Sequence, residues 1–117
     1  MNNKIPYINI LFVCSRNKWR SPTVENIYKN LPNINVRSAG TESSARIKLT
    51  AKNITWADII FVMEKKHKQR ILENFPFETE EKQIIILDIP DEYKFMDPEL
   101  IEDITTKVNF YIDRQTK

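Results

Sequence analysis

The segment VCSRNKWRSP, residues 13–22, carries the only cysteine of the chain and an arginine six residues after it. Cys14 and Arg20 form a C-x5-R pattern, and Ser21 and Pro22 follow directly. A loop that curls back on itself points backbone N–H groups inward and binds anions. Arg20 can form bidentate hydrogen bonds with two phosphate oxygens. Nearby cations and the start of a helix favour the thiolate form of a cysteine. The spacing therefore predicts a thiolate that attacks phosphorus and forms a covalent intermediate.

Two other interpretations of this segment are weaker. A lone cysteine at the end of a strand is often a small buried apolar residue, but here an arginine, a serine and a helix-start signal accompany it. A Walker-type phosphate loop is a poor alternative, because residues 13–22 contain no glycine and lack the G-K-[ST] ending. The combination of residues therefore favours the nucleophile.

The elements around the loop follow from the apolar patterns. The run from Ile8 to Val13 is typical of a strand buried on both faces. Ser21 and Pro22 then predict an N-cap and a first helical residue. Apolar residues at helical spacing follow them up to Leu31, and Pro32 ends the helix.

The rest of the chain repeats this alternation of strands and helices. Strands are predicted over Ile34–Arg37, Ile59–Met63 and Gln83–Leu87, a short helix within Thr41–Thr55, and longer helices over Lys65–Phe75 and from Pro98 onwards. This order predicts an α/β fold in one domain over residues 1–117, with a four-stranded parallel sheet and helices on both faces. Ligands of such sheets bind beyond the carboxyl ends of the strands, where Cys14 lies.

Composition excludes several classes of protein. Hydrophobic residues make up 41% and charged residues 29% of 117 residues, which is typical of a globular domain. The net charge of +2 gives no support for a nucleic-acid surface, and no apolar run is long enough to span a membrane. A single cysteine cannot form an internal disulfide, which favours the cytoplasm. With one histidine, the chain also lacks an ordinary zinc ligand set.

Four segments of the chain resemble the low-molecular-weight protein tyrosine phosphatases. Residues 14–22, CSRNKWRSP, resemble the C-x-G-N-x-C-R-S-P loop of that family, and residues 38–41 match its S-A-G-T segment. Met63-Glu64 stands where the family has Met-Asp, and residues 89–93, IPDEY, are similar to its V-P-D-P-Y loop. The matches occur in family order and span almost the whole chain.

The resemblance implies a role for each matching residue. Cys14 would be the nucleophile, Arg20 would bind the phosphoryl group, and Asp91 would be the general acid. The remaining substrate-binding residues would be Ser15, Arg16, Asn17, Lys18, Trp19, Ser21 and Tyr93, with Asn17 bracing the loop and Ser21 hydrogen-bonding the thiolate. The resemblance further implies a flavodoxin-like sheet of order 2-1-3-4, no metal and no cofactor. The expected partner is a phosphorylated protein or a small phosphoester, bound by a monomeric protein.

The chain departs from the family pattern in three places. Arg16 replaces the loop glycine, and Trp19 replaces the second loop cysteine. The segment between Gly40 and Trp56 is shorter than in typical members. Trp19 and Tyr93 could flank an aromatic phosphoester, although Tyr93 could equally pack on the end of the sheet.

Three aspartates are candidates for the general acid. Asp97 precedes Pro98 and is explained as an N-cap, whereas Asp88 follows the fourth strand directly. Asp91 has the Pro-Asp-x-Tyr context and is our choice, with Asp97 second. Residues 64–68, EKKHK, predict a solvated helix face, which makes His67 a surface residue.

Two alternative functions stay open at the level of sequence. Arsenate reductases of this fold also use a C-x5-R loop, but a single cysteine allows only a version that borrows an external thiol such as glutathione. A non-catalytic phosphate-binding module needs neither a nucleophile nor an acid, and the presence of Cys14, Arg20 and Asp91 argues against it. The favoured function is a cysteine-dependent phosphomonoesterase.

Overall fold

A computed structural model describes residues 7–116, with side chains described up to Ile112. Four strands alternate with four helices in the order β1 (Ile8–Cys14), α1 (Arg20–Tyr28), β2 (Ile34–Gly40), α2 (Ala51–Trp56), β3 (Ile59–Val62), α3 (Lys65–Asn74), β4 (Gln83–Ile86) and α4 (Pro98–Thr116). Within the described residues, no helix is both long and apolar enough to cross a membrane. The predicted single domain also includes residues 1–6 and 117, which lie outside the described residues.

The four strands form one parallel sheet of order β2-β1-β3-β4. β1 lies in the interior of the sheet and pairs with β2 over its whole length, from Ile8 opposite Ile34 to Cys14 opposite Gly40. On its other side it pairs with β3, and β3 pairs with β4. The predicted topology is confirmed, and Cys14 ends β1 at the point where the strand order reverses.

Helices cover both faces of the sheet because alternate residues of β1 point to opposite sides. Ile10, Phe12 and Cys14 pack into one apolar cluster with α1 and α4, to which α4 contributes Leu100, Ile104, Val108 and Ile112. Leu11 and Val13 pack into a second cluster with α2 and α3. The two clusters hold the carboxyl end of β1 from both sides.

Two predicted boundaries at this end of the sheet are wrong. β2 continues three residues past Arg37 to Gly40, because its pairing with β1 extends to the end of that strand. α1 begins at Arg20 with Trp19 as its N-cap, since the Trp19 carbonyl accepts a hydrogen bond from the Thr23 N–H at 3.1 Å. Ser21 therefore lies inside the first helical turn and is not the N-cap.

Candidate active site

The loop between β1 and α1 turns its carbonyl groups outward. The Cys14, Ser15 and Arg16 carbonyls accept hydrogen bonds of 2.9–3.0 Å from the N–H groups of Thr41, Glu42 and Arg46. Within residues 7–116, the N–H groups of Ser15, Arg16, Lys18 and Trp19 have no acceptor. Free N–H groups in a curled loop before a helix form an anion-binding site.

Gly40 allows the loop to lie against the end of β2. A Cβ atom at this position would stand 2.6 Å from the Ser15 carbonyl oxygen and 2.6 Å from the Ala45 Cβ. Both distances are far below van der Waals contact. The only glycine of the chain therefore provides the space in which the cysteine loop packs.

The backbone of the loop explains how the chain tolerates Arg16. The left-handed residue of the loop is Asn17, with φ of 55°, and Arg16 does not have a positive φ. Asparagine adopts this conformation more readily than most residues with a side chain. Arg16 therefore needs none of the conformational freedom of glycine.

The Cys14 sulfur is surrounded by hydrogen-bond donors. It lies 3.0 Å from the Ser21 Oγ and accepts from the Asn17 backbone N–H at 3.2 Å. The Asn17 side-chain amide donates to the Ser21 Oγ at 2.9 Å and to the Ser38 Oγ at 2.8 Å. Because the Ser21 oxygen accepts from Asn17, its own O–H is available to the sulfur. Donors aimed at sulfur stabilise a thiolate.

The Arg20 guanidinium is buried and held along one side. Its Nη1 donates to the Glu64 Oε1 at 2.5 Å and to the Ile89 carbonyl at 2.8 Å. Its Nε and Nη2 make no hydrogen bond within the described residues, so part of the fork is available to a phosphoryl group. Partial burial raises the pKa of Glu64, but the hydrogen bond and charge of Arg20 outweigh it, and the net pKa is lowered.

A small cavity of about 40 Å³ joins the predicted chemical groups. Its lining consists of Cys14, Arg16, Lys18, Trp19, Arg20 and Asp91. The Asp91 Oδ1 lies 3.7 Å from the Arg20 Nε, and its side chain is 55% exposed. The cysteine thiol, the arginine guanidinium and the aspartate carboxyl group therefore face one space, with the carboxyl group at its open side.

The two other aspartates lie elsewhere. Asp97 precedes α4, and its Oδ1 accepts the Glu99 N–H at 2.9 Å, so it acts as the predicted cap. The Asp88 carbonyl accepts from the Lys107 Nζ at 3.1 Å. Neither aspartate lines the cysteine cavity, and Asp91 remains our choice for the acid.

The other predicted site residues occupy three kinds of position. Lys18 and Trp19 line the cavity, with the Lys18 Nζ 5.0 Å from the centre of the Trp19 ring. Asn17 and Ser21 are buried beneath the loop. Tyr93 packs against the apolar cluster shared by α1 and α4 and is not part of the cavity lining.

Sequence reasoning missed Glu64 and His67. The prediction that His67 is a surface residue is wrong: it is 1% exposed, because the first turn of α3 packs against the cysteine loop. Its Nε2 lies 2.9 Å from the Ser15 Oγ, and its Nδ1 accepts from the Glu64 N–H at 3.0 Å. Burial, followed by the charge of Arg20, lowers the pKa of His67 to about 4. The Met63-Glu64 pair that follows β3 was the only sequence signal for either residue.

Two curated relatives are protein-arginine-phosphatases. The protein from Geobacillus stearothermophilus is 33% identical over 96 residues, which cover 62% of this chain and 64% of the relative. The protein from Bacillus subtilis (strain 168) is 30% identical over 95 residues, which cover 58% and 63%. The chain thus spans slightly less than two thirds of the length of these relatives. No family model matches it.

Solved structures extend the similarity over most of the chain. The tyrosine phosphatase Wzb from Escherichia coli K30, in complex with phosphate, matches with a TM-score of 0.75 at 20% identity, covering 92% of this chain and 98% of that chain. A low-molecular-weight phosphotyrosine phosphatase from Vibrio cholerae O395 matches with a TM-score of 0.72 at 20% identity, covering 94% and 99%. At these identities the similarity concerns the fold.

The parallel sheet of order 2-1-3-4, with a C-x5-R loop after its first strand, defines a class of cysteine-loop α/β proteins. The structural neighbours show that the chain has the fold of the low-molecular-weight protein tyrosine phosphatases, and in sequence it is similar to two protein-arginine-phosphatases.

Proposed function

We propose that the chain is a phosphatase that hydrolyses phosphomonoesters on protein side chains through a cysteinyl-phosphate intermediate. One observation carries this proposal: Cys14, Arg20 and Asp91 line the same small cavity at the end of β1. The phosphatase relatives support it and favour it over the arsenate reductase alternative.

The first chemical step transfers the phosphoryl group to sulfur. The Cys14 thiolate attacks phosphorus, an S–P bond forms, and the bond from phosphorus to the leaving oxygen breaks. The free N–H groups of the loop and the Arg20 guanidinium bind the three non-bridging oxygens. The protonated Asp91 carboxyl gives its proton to the leaving oxygen.

The second step regenerates the enzyme. The Asp91 carboxylate takes a proton from water, the water oxygen attacks phosphorus, and the S–P bond breaks. The Ser21 hydroxyl and the Asn17 N–H stabilise the departing thiolate, since both lie within 3.2 Å of the sulfur. Phosphate leaves, and no electrons are exchanged with a cofactor.

We propose phosphotyrosine as the substrate class. The Trp19 side chain lines the cavity and offers an aromatic face for stacking. Exposed Arg16 and Lys18 side chains line the same cavity and attract a phosphate dianion. The same cations would repel the positively charged guanidinium of phosphoarginine. The curated relatives, in contrast, are named protein-arginine-phosphatases.

The setting of this activity is also a proposal. A single cysteine that must stay reduced suits the cytoplasm, and we propose a monomer of one domain that needs neither metal nor nucleic acid.

The proposal is tested by comparing wild type with Cys14→Ser on p-nitrophenyl phosphate, phosphotyrosine peptides and phosphoarginine peptides. Wild type should hydrolyse the first two, and Cys14→Ser should hydrolyse none while still binding vanadate through Arg20 and the loop. Equal turnover by Cys14→Ser would overturn the covalent mechanism. Preference for phosphoarginine would overturn the proposed substrate class alone.

A further inference from the structure

The first turn of α3 contacts the cysteine loop at two points. Glu64, the N-cap of α3, binds Arg20 through its carboxylate, and His67 contacts the Ser15 hydroxyl. His67 and Ser15 are 1% and 5% exposed, so their contact is buried. The chemistry proposed above uses Arg20 but gives no role to His67.

The hydrogen bonds of His67 define its protonation state. Its Nδ1 accepts the Glu64 backbone N–H, so this nitrogen carries no proton. A neutral imidazole then carries its proton on Nε2 and donates it to the Ser15 oxygen at 2.9 Å. His67 therefore cannot serve as a base towards Ser15, and its contribution is a hydrogen bond of fixed direction.

We propose that His67 is a positioning residue, whose Nε2–H fixes Ser15 and thereby the loop N–H groups that receive the phosphoryl group. This inference rests on the proposed phosphatase function. Ser15 follows the nucleophile directly and is held on two sides: Glu42 donates its N–H to the Ser15 carbonyl at 2.9 Å, and His67 holds the hydroxyl. Together these bonds restrict rotation of the residue that carries the first free N–H of the loop.

Burial keeps His67 neutral, while the charges around it act in both directions. Arg20 and Lys66 oppose a positive imidazole, whereas Glu64 and Asp91 favour one. A neighbouring cavity of about 280 Å³ is lined by Ser15 and His67, and its charged lining residues are Glu42, Lys66, Arg70 and Glu73. Burial decides the balance in favour of the neutral form, which preserves the accepting Nδ1 and the donating Nε2–H.

Two substitutions separate the two hydrogen bonds of the ring. In His67→Asn, a side-chain oxygen takes the place of Nδ1 and keeps the bond from Glu64, but nothing reaches Ser15. In His67→Gln, the amide nitrogen takes the place of Nε2 and keeps the donation to Ser15. We expect His67→Asn to lower kcat/KM for p-nitrophenyl phosphate roughly tenfold to a hundredfold, as a small misplacement of the loop does. His67→Gln should lower kcat/KM much less, because it keeps the hydrogen bond to Ser15.

Ser15→Ala provides the matching change on the other side of the contact. If His67 acts through Ser15, the double variant Ser15→Ala/His67→Asn should be no slower than Ser15→Ala alone, because both changes remove one interaction. Vanadate affinity should follow the same pattern. Additive losses in the double variant, or wild-type activity and vanadate affinity in His67→Asn, would overturn the proposal.

A measurement on wild type alone covers the case in which a variant does not fold. Because the chain has one histidine, its ring nitrogens can be assigned without ambiguity by 15N NMR on protein without a histidine tag. We expect the neutral form protonated at Nε2 at pH 7. A proton on Nδ1, or rapid averaging as in free imidazole, would overturn the proposal. Absence of turnover in wild type would refute the phosphatase function, while the NMR and vanadate measurements would still decide on the contact.

Discussion

Acid should destabilise the fold through His67 well before the carboxylates titrate. The pKa of His67 is lowered from 6.5 to about 4 in the folded chain. Between these values the unfolded chain binds a proton that the folded chain does not. The contribution of His67 to stability is therefore complete above about pH 6.5 and is lost as the pH falls towards 4.

The size of this loss follows from the two pKa values. Linkage gives a fall in the free energy of unfolding of about 2 kcal/mol between pH 8 and pH 5, and of about 3 kcal/mol by pH 4. pH 5 is the better condition for the comparison, because Glu64 has a lowered pKa and stays ionised there in both proteins.

Urea unfolding of wild type and His67→Gln at pH 8 and pH 5 measures the effect. Wild type should lose about 2 kcal/mol more than His67→Gln over this interval, because glutamine does not titrate. Equal losses in the two proteins would refute the reasoning and would mean that the histidine protonates without cost in the folded chain.

Three further predictions test the site. Asp91→Asn should slow the hydrolysis of phenyl phosphate about 10²–10⁴-fold and that of p-nitrophenyl phosphate much less. Asp97→Asn should change neither rate, because asparagine caps a helix equally well. The reverse pattern would make Asp97 the acid. Gly40→Ala should lower the free energy of unfolding by about 1–3 kcal/mol and reduce turnover, since its Cβ would displace the Ser15 carbonyl; a fully stable and active variant would contradict this close packing. Glu64→Gln should weaken vanadate binding, measured by titration, because Arg20 loses its charged partner; unchanged affinity would remove Glu64 from the site.

The sequence predicted the sheet well because its signals are local. The strands β1, β3 and β4 are short apolar runs, and the order 2-1-3-4 followed from the family resemblance. The cysteine loop is also a contiguous segment, so Cys14 and Arg20 could be recognised by their spacing. Asp97 was recognised as a cap because the Asp-Pro pair itself marks a helix start.

The contacts of α3 could not be predicted in the same way. His67 stands among lysines in a highly charged segment, which is typical of a solvated helix face. It is buried because the first turn of α3 lies against a loop 52 residues earlier in the chain. The start of α1 was misplaced for a related reason: the Ser21 hydroxyl points to the Cys14 sulfur and does not cap the helix.

Mass spectrometry of the acid-quenched protein tests directly whether Cys14 forms the proposed phosphoryl intermediate. Wild type mixed with excess p-nitrophenyl phosphate and quenched during turnover should carry one phosphoryl group on the peptide that contains Cys14. Asp91→Asn provides a second sample, and quenching it at once after mixing should capture the same adduct. A phosphoryl group at Cys14 is the result that we predict. Turnover without any phosphorylated Cys14 peptide in either protein would contradict the account.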